Sequence, residues 1–197
     1  MPLSVESNFK TISDHMQETY LGKYVLPEFQ RTFVWDPQKI RALWESLYDG
    51  YPIGQLMFWG EATIDFPVRS LGLWQDEIKE ARNIGQIVVD GQQRLTAIWL
   101  VLRGDVKLCF NLEAKKFTYD DRGDHILKLD ILNGRSYDQV WEMDFFFANA
   151  SPVQQQKFAR ELHRLNSVFT TTKIPFQLVT NTDYDTVVSI FTSSLSE

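Results

Sequence analysis

One stretch constrains the fold of this 197-residue chain more than any other. Ile87, Val88 and Val89 form a short β-branched run that suits a buried strand. Asp90-Gly91 interrupts it, and Leu95, Ile98, Trp99 and Leu102 then recur at helical spacing until Gly104. The pattern predicts a strand that passes through a tight turn directly into a helix over residues 91–103, with Gln92, Gln93 and Arg94 in its first turn. A helix start leaves its first amide N–H groups unpaired and carries partial positive charge, which favours an anion. Arg94 adds a permanent cation with a planar fork suited to phosphate. The two glutamines supply neutral donors and acceptors able to orient a water or read a base edge. A plainer reading stands beside this one, with Asp90 as a helix N-cap, Gly91 as a turn residue and Arg94 as a surface charge.

The rest of the chain frames that stretch. Residues 9–20 are expected to form a short amphipathic segment with Phe9, Ile12 and Met16 on one face. Residues 23–27 read as a strand, and the aromatic-rich residues 28–35 follow. Asp36-Pro37 is a strong helix start, Ile40, Leu43, Trp44 and Leu47 form its apolar stripe, and Asp49-Gly50 ends it. Pro52-Ile53-Gly54 is a rigid turn into a strand over residues 55–59. Residues 60–85 carry weak, mixed signals and read as an insertion. Residues 106–112 and 116–119 are expected to pair as a hairpin, and residues 126–131 to form one strand. Helices are expected over residues 138–148, after Ser151-Pro152 with Phe158, Leu162, Leu165 and Phe169 inward, and over residues 183–191. A last strand is expected at residues 174–179. Hairpins, one strand-turn-helix core and flanking helices make an α+β fold.

Composition narrows the function classes. Hydrophobic residues make up 44% of the chain, enough for a real core. The net charge of −6 argues against a protein that grips nucleic acid over its whole surface, though not against a local basic cleft. A lone cysteine, Cys109, excludes an internal disulfide, fits a reducing cytoplasm and is expected to be a packed thiol. His15, His125 and His163 are scattered without ligand spacing, so no metal site is expected from them. The acidic run around Asp120, Asp121 and Asp124 lacks the calcium-loop pattern and reads as a solvated turn. No apolar stretch approaches the roughly 18 residues of a membrane span, and the first residues lack the regions of a signal peptide.

Three blocks together, residues 24–35, 43–59 and 88–102, resemble in order and spacing the N-terminal domain of GmrSD-type restriction endonucleases. The Asp-Gly-Gln-Gln-Arg at residues 90–94 is similar to that family's signature. Gln30 and Arg31 match its Phe-Gln-Arg block, and Pro52, Ile53 and Gly54 its Pro-Ile-Gly turn. The resemblance implies a ParB/sulfiredoxin-like mixed sheet with flanking helices, spanning residues 1–191 and followed by a tail over residues 192–197. It implies a role in restriction of modified foreign DNA and phage defence, with nucleotide binding or hydrolysis, or DNA nicking, credited to this domain. Asp90, Gly91, Gln92, Gln93 and Arg94 would form the signature loop, and Gln30 and Arg31 would join it in holding phosphate. Asp90, Gln93 and Arg94 would carry any catalysis, and Mg²⁺ would accompany an NTP. The family pattern continues beyond Ile190-Phe191 into a further loop and often a nuclease domain of the His-Asn-His type, so the chain is expected to be shortened at its C-terminal end.

Residue chemistry agrees in outline, because phosphoryl transfer needs positioning and charge neutralisation more than a covalent nucleophile. Asp90, the only acid in the loop, suits a metal-bound water or a base role, or that of a plain cap. Gln30 and Arg31 either face phosphate or brace the loop, and Phe29, Phe33 and Trp35 either stack a base or pack in the core. Two further readings stay open: a noncatalytic module that binds modified DNA or a partner, and an inactive remnant.

Overall fold

The computed structural model describes residues 3–60, 66–71, 85–123, 125–132 and 149–194. They fall into two compact units built from interleaved stretches of chain. The first comprises Met1–Val34, Gly54–Thr96 and Lys173–Glu197, the second Trp35–Ile53 and Ala97–Thr172. Helices and a mixed sheet make the fold α+β.

The first unit is a six-stranded sheet with flanking helices. Its strands are β1 (Ser4–Thr11), β2 (Tyr24–Pro27), β3 (Leu56–Trp59), β4 (Val68–Ser70), β5 (Gln86–Asp90) and β9 (Lys173–Thr180), in the order β1-β9-β3-β5-β2-β4. β9 pairs parallel with β3 and β5 parallel with β2, whereas β1–β9, β3–β5 and β2–β4 are antiparallel. Central strands covered on both faces need apolar residues at every position. Val25, Met57, Trp59, Ile87, Val89 and Val179 accordingly form one buried cluster with Val187 of the last helix. On the opposite face His15 of α1 (Ile12–Tyr20) stacks on Phe58 and meets Tyr24 and Phe176.

The N-terminal expectation needs correction. Residues 9–11 belong to a strand, and Phe9, 65% exposed, does not share the face of Ile12 and Met16. Thr11 caps α1 in a reciprocal box with Asp14, which fixes the helix start at Ile12. The eight residues before it pair with β9 from Ser4↔Thr180 to Thr11↔Lys173. Ile12 and Met16 are buried. Phe9 falls three residues before Ile12, so a helical period was legible across a real boundary.

The second unit contains α2 (Pro37–Asp49), most of α3 (Gln92–Arg103), the strands β6 (Cys109–Asn111), β7 (Lys116–Thr118) and β8 (Ile126–Lys128) in a sheet ordered β7-β6-β8, and α4 (Pro152–Thr171). Asp36 caps α2 by accepting from the Lys39 amide at 2.9 Å, and Pro37 takes its first turn. Ile40, Leu43, Trp44 and Leu47 are buried, joined by Tyr48. Ser151 and Gln154 form a capping box on α4, whose Phe158, Leu162, Leu165 and Phe169 are buried together with Glu161. β6 pairs with β7 as the expected hairpin and with β8 on its other side. Cys109 is fully buried, and burial pushes its thiol pKa up, as befits a packed side chain.

The expected strand over 126–131 is shorter than that. After Lys128 the chain makes a 3-10 turn, Leu129–Leu132, with Leu129, Ile131 and Leu132 buried. The expected helix over residues 138–148, and all of the 60–85 stretch except Gly60, residues 66–71 and Gly85, lie outside the described residues. Within the described part of that stretch lies β4. The final helix, α5, runs Tyr184–Ser194. Among the described residues no helix is long and apolar enough to cross a membrane.

Candidate functional site: an arginine-rich corner at the start of α3

β5 leads into α3 through one residue. Gly91 has φ +87°, and its carbonyl accepts the first intrahelical bond from Leu95 at 3.0 Å. Gly91, not Asp90, therefore holds the capping position. A Cβ at Gly91 would sit 2.2 Å from Leu56 Cδ2, so both the left-handed backbone and the close approach to β3 demand glycine. Gln92, Gln93 and Arg94 occupy the first turn, as the sequence predicts.

Arg94 is seated between two of the sequence blocks. Its guanidinium bonds Asp90 Oδ2 at 3.1 Å, with the side chains 18% and 39% exposed. On another side it lies against Gly54, where a Cβ would approach Nη1 to 2.6 Å. Gly54 has φ +84° and follows Pro52 and Ile53 in the turn before β3. The Pro-Ile-Gly turn thus supplies the bare backbone on which the Arg94 fork rests.

The segment Glu28–Val34 has little regular structure of its own and is held by side chains from distant elements. Gln30 Nε2 donates to the carbonyls of Val88 at 3.1 Å and Val89 at 3.4 Å. Gln92 Nε2 donates to the Arg31 carbonyl at 2.7 Å. Gln93 uses both ends of its carboxamide: Nε2 donates to Thr32 O at 3.0 Å, and Oε1 accepts from Val34 N at 2.9 Å. That two-point contact imitates a neighbouring strand. The bracing alternative for Gln30 is the one its contacts match, and Gln92 and Gln93 act alike. Both are buried, at 8% and 7% exposure.

A residue that sequence reasoning missed completes the brace. Arg69 of β4 donates from one guanidinium nitrogen to the carbonyls of Gln30 and Arg31, each at 2.9 Å. It is only 5% exposed, and its Nε has no hydrogen-bond partner among the described residues. Burial pushes its pKa below the ordinary arginine value. Among the described residues no carboxylate lies within ion-pair distance of it. Val68-Arg69-Ser70 is too short a strand to show a period, so no sequence signal could have found it.

While its backbone is pinned, the Arg31 side chain is exposed. Phe29, two residues earlier, is 63% exposed and meets Phe66 and Tyr184 edge to face. Core packing therefore does not account for Phe29, whereas Phe33 and Trp35 are half-buried. Arg94 and Asp90 lie at the positive end of α3, and Gln92 and Arg69 both donate to the Arg31 carbonyl beside it. Such a set favours anions with several oxygens. Among the described residues no group of three His, Cys, Asp or Glu side chains is placed to hold a metal alone.

Comparison with known proteins agrees with the motif reading. A family model described as the N-terminal domain of GmrSD restriction endonuclease matches residues 10–195. A curated relative, "Uncharacterized protein MJ0686" of Methanocaldococcus jannaschii, is 28% identical over 104 residues, which is 51% of this chain. The matched stretch is only 18% of that relative's own length.

Proposed function

The chain belongs to the family of GmrSD restriction endonuclease N-terminal domains, and on that premise we propose that it serves in restriction and phage defence and binds nucleotide phosphate at the start of α3. The observation that carries this reading is the seating of Arg94 between Asp90 and Gly54 at a helix N-terminus. The fork and the first-turn backbone of α3 would face the phosphate oxygens, with Arg31 reaching in from the braced segment. Gln30, Gln92 and Gln93 serve the site indirectly, by fixing the chain that carries Arg31. Gly91 permits the turn.

Magnesium brought in with an NTP suits this donor set, since Mg²⁺ is commonly held by one or two carboxylates together with substrate phosphates. Asp90, part-exposed at the mouth of the turn, is the residue that would hold it. When bound, the ion would neutralise phosphate charge. Hydrolysis in this reading depends on Asp90 and Arg94, and Gln93 contributes by position because both ends of its carboxamide are engaged. A C-terminal nuclease domain of the family's kind is the partner that would use the nucleotide state.

A second reading, noncatalytic recognition of modified DNA, draws on the exposed Phe29 ring, which can stack an unpaired base. The two separate by salt dependence, since DNA binding driven by counterion release weakens steeply as salt rises. Calorimetric titration with ATP, GTP, CTP and UTP, each with Mg²⁺, tests the first. Saturable binding by the parent that Arg94→Ala loses is the expected result. No binding to any of the four by a folded chain overturns it.

A further inference from the structure

We infer that Arg69 is a positioning residue of the anion site, holding Gln30 and Arg31 in place while contributing a buried positive charge that no carboxylate among the described residues offsets. The inference rests on the phosphate-binding reading above and adds a residue that the signature blocks do not contain. Three observations carry it. Arg69 is 5% exposed, yet no carboxylate among the described residues pairs with it. Its bonds go to the carbonyls of Gln30 and Arg31, the latter shared with Gln92 at the first position of α3. The shared carbonyl links the Arg69 guanidinium to the side chain of the residue that begins that helix.

A buried cation normally has an acid partner, because desolvating a charge is unfavourable unless an opposite charge or strong hydrogen bonds compensate. Two carbonyl dipoles compensate in part. The neighbouring helix start acts in the wrong direction, since its partial charge is also positive. A brace alone would need no charge: neutral amides, those of Gln92 and Gln93, already donate to the carbonyls of the same segment. A permanent cation at this place raises the potential of the corner where phosphate would sit.

The test uses sodium pyrophosphate as probe, read by calorimetry and by the shift in Tm, with a short single-stranded oligonucleotide run in parallel. Parent, Arg69→Met, Arg69→Lys and Arg94→Ala are compared. Parent is expected to bind, Arg94→Ala to lose binding, and folded Arg69→Met to bind about tenfold or more weakly. Arg69→Lys keeps the charge and is expected to recover part of that loss, which a purely structural brace would not require. Trypsin adds a second readout, because the Arg31–Thr32 bond should be protected by pyrophosphate in the parent and less so in Arg69→Met. Should Arg69→Met fail to fold, the lysine variant decides, and parent-like protection and affinity with a lowered Tm would overturn the inference. Unchanged affinity in folded Arg69→Met, with binding still lost in Arg94→Ala, overturns the role of Arg69 and leaves the phosphate reading standing. A parent that ignores pyrophosphate overturns both. Saturable pyrophosphate binding with none to the oligonucleotide assigns the site to free nucleotide, and the reverse assigns it to a nucleic-acid backbone.

Discussion

Each compact unit buries a charged side chain, and the two are treated in opposite ways. In the second unit Glu161 of α4 receives hydrogen bonds from the Tyr48 hydroxyl and the Lys115 ammonium. Arg164, one turn along, donates to the Tyr48 carbonyl at 3.0 Å and lies over the Tyr48 ring. Burial works against ionisation of Glu161, but the Lys115 and Tyr48 bonds outweigh it and hold the carboxyl below its ordinary range. The acid, its donors and a counter-charge are all supplied by the same unit. In the first unit Arg69 has two carbonyls and, among the described residues, no acid. A closed ion cluster is a structural clamp, whereas a buried charge left without a counter-ion marks a place prepared for one.

That contrast can be broken at either end. The largest expected effect is Glu161→Ala, which removes an almost fully buried acid and leaves the Tyr48 hydroxyl unpaired. Chemical denaturation should show a loss of about 3 kcal/mol, with nucleotide affinity unchanged. Equal losses of stability and affinity would mean that the clamp belongs to the site.

A pH scan should separate the units next. Burial, outweighing its other contacts, lowers the His15 pKa from 6.5 to about 4. The neutral ring is therefore the form that folds, and the unfolded chain binds the extra proton between those values. Stability attached to His15 is complete above pH 6.5 and is lost as pH falls toward 4, an effect of about 3 kcal/mol at most. His15→Leu should flatten that slope. The contribution of Glu161 persists above its unfolded value of 4.5 and disappears only as pH falls through the lower folded value. A slope between pH 6.5 and 4 that survives in His15→Leu would assign it elsewhere.

Gly54→Ala should cost about 1 kcal/mol in stability, because alanine resists a positive φ. Its Cβ would displace the Arg94 fork, so nucleotide affinity should fall by about tenfold. Arg69→Met is the smallest of the four in stability, below about 1 kcal/mol, since an apolar side chain of similar length often replaces a buried charge without loss. A loss as great as that of Glu161→Ala would erase the distinction between the two buried charges.

Much of the frame was legible because its signals are local. The Val88-Val89 run, the glycine after Asp90 and the apolar period from Leu95 announce β5, the turn and α3 within one window. Asp36-Pro37 and Ser151-Pro152 marked their helices just as directly. The candidate site was legible only in its residue types. Gln92 and Gln93 read as groups able to orient a water or read a base edge, and what the sequence did not show is that their carboxamides bond carbonyls some sixty residues earlier in the chain. Nothing local in residues 28–34 encodes that arrangement, because side chains instead of a backbone ladder supply its bonds. Arg69 was hidden for the same reason, in a three-residue strand without a period. Glu161 did leave a trace, three residues after Phe158 and four before Leu165 on the buried face of α4, where a solvated acid would not be expected.

The central claim is that the positive corner at the start of α3 receives phosphate. Amide chemical-shift mapping of the labelled chain during a pyrophosphate titration locates the ligand most directly. The largest shifts should fall on Gly91, Gln92, Gln93 and Arg94, with a second set at Arg31 and Thr32. Saturable shifts confined to other strands or helices, with these six amides unmoved, would contradict the account.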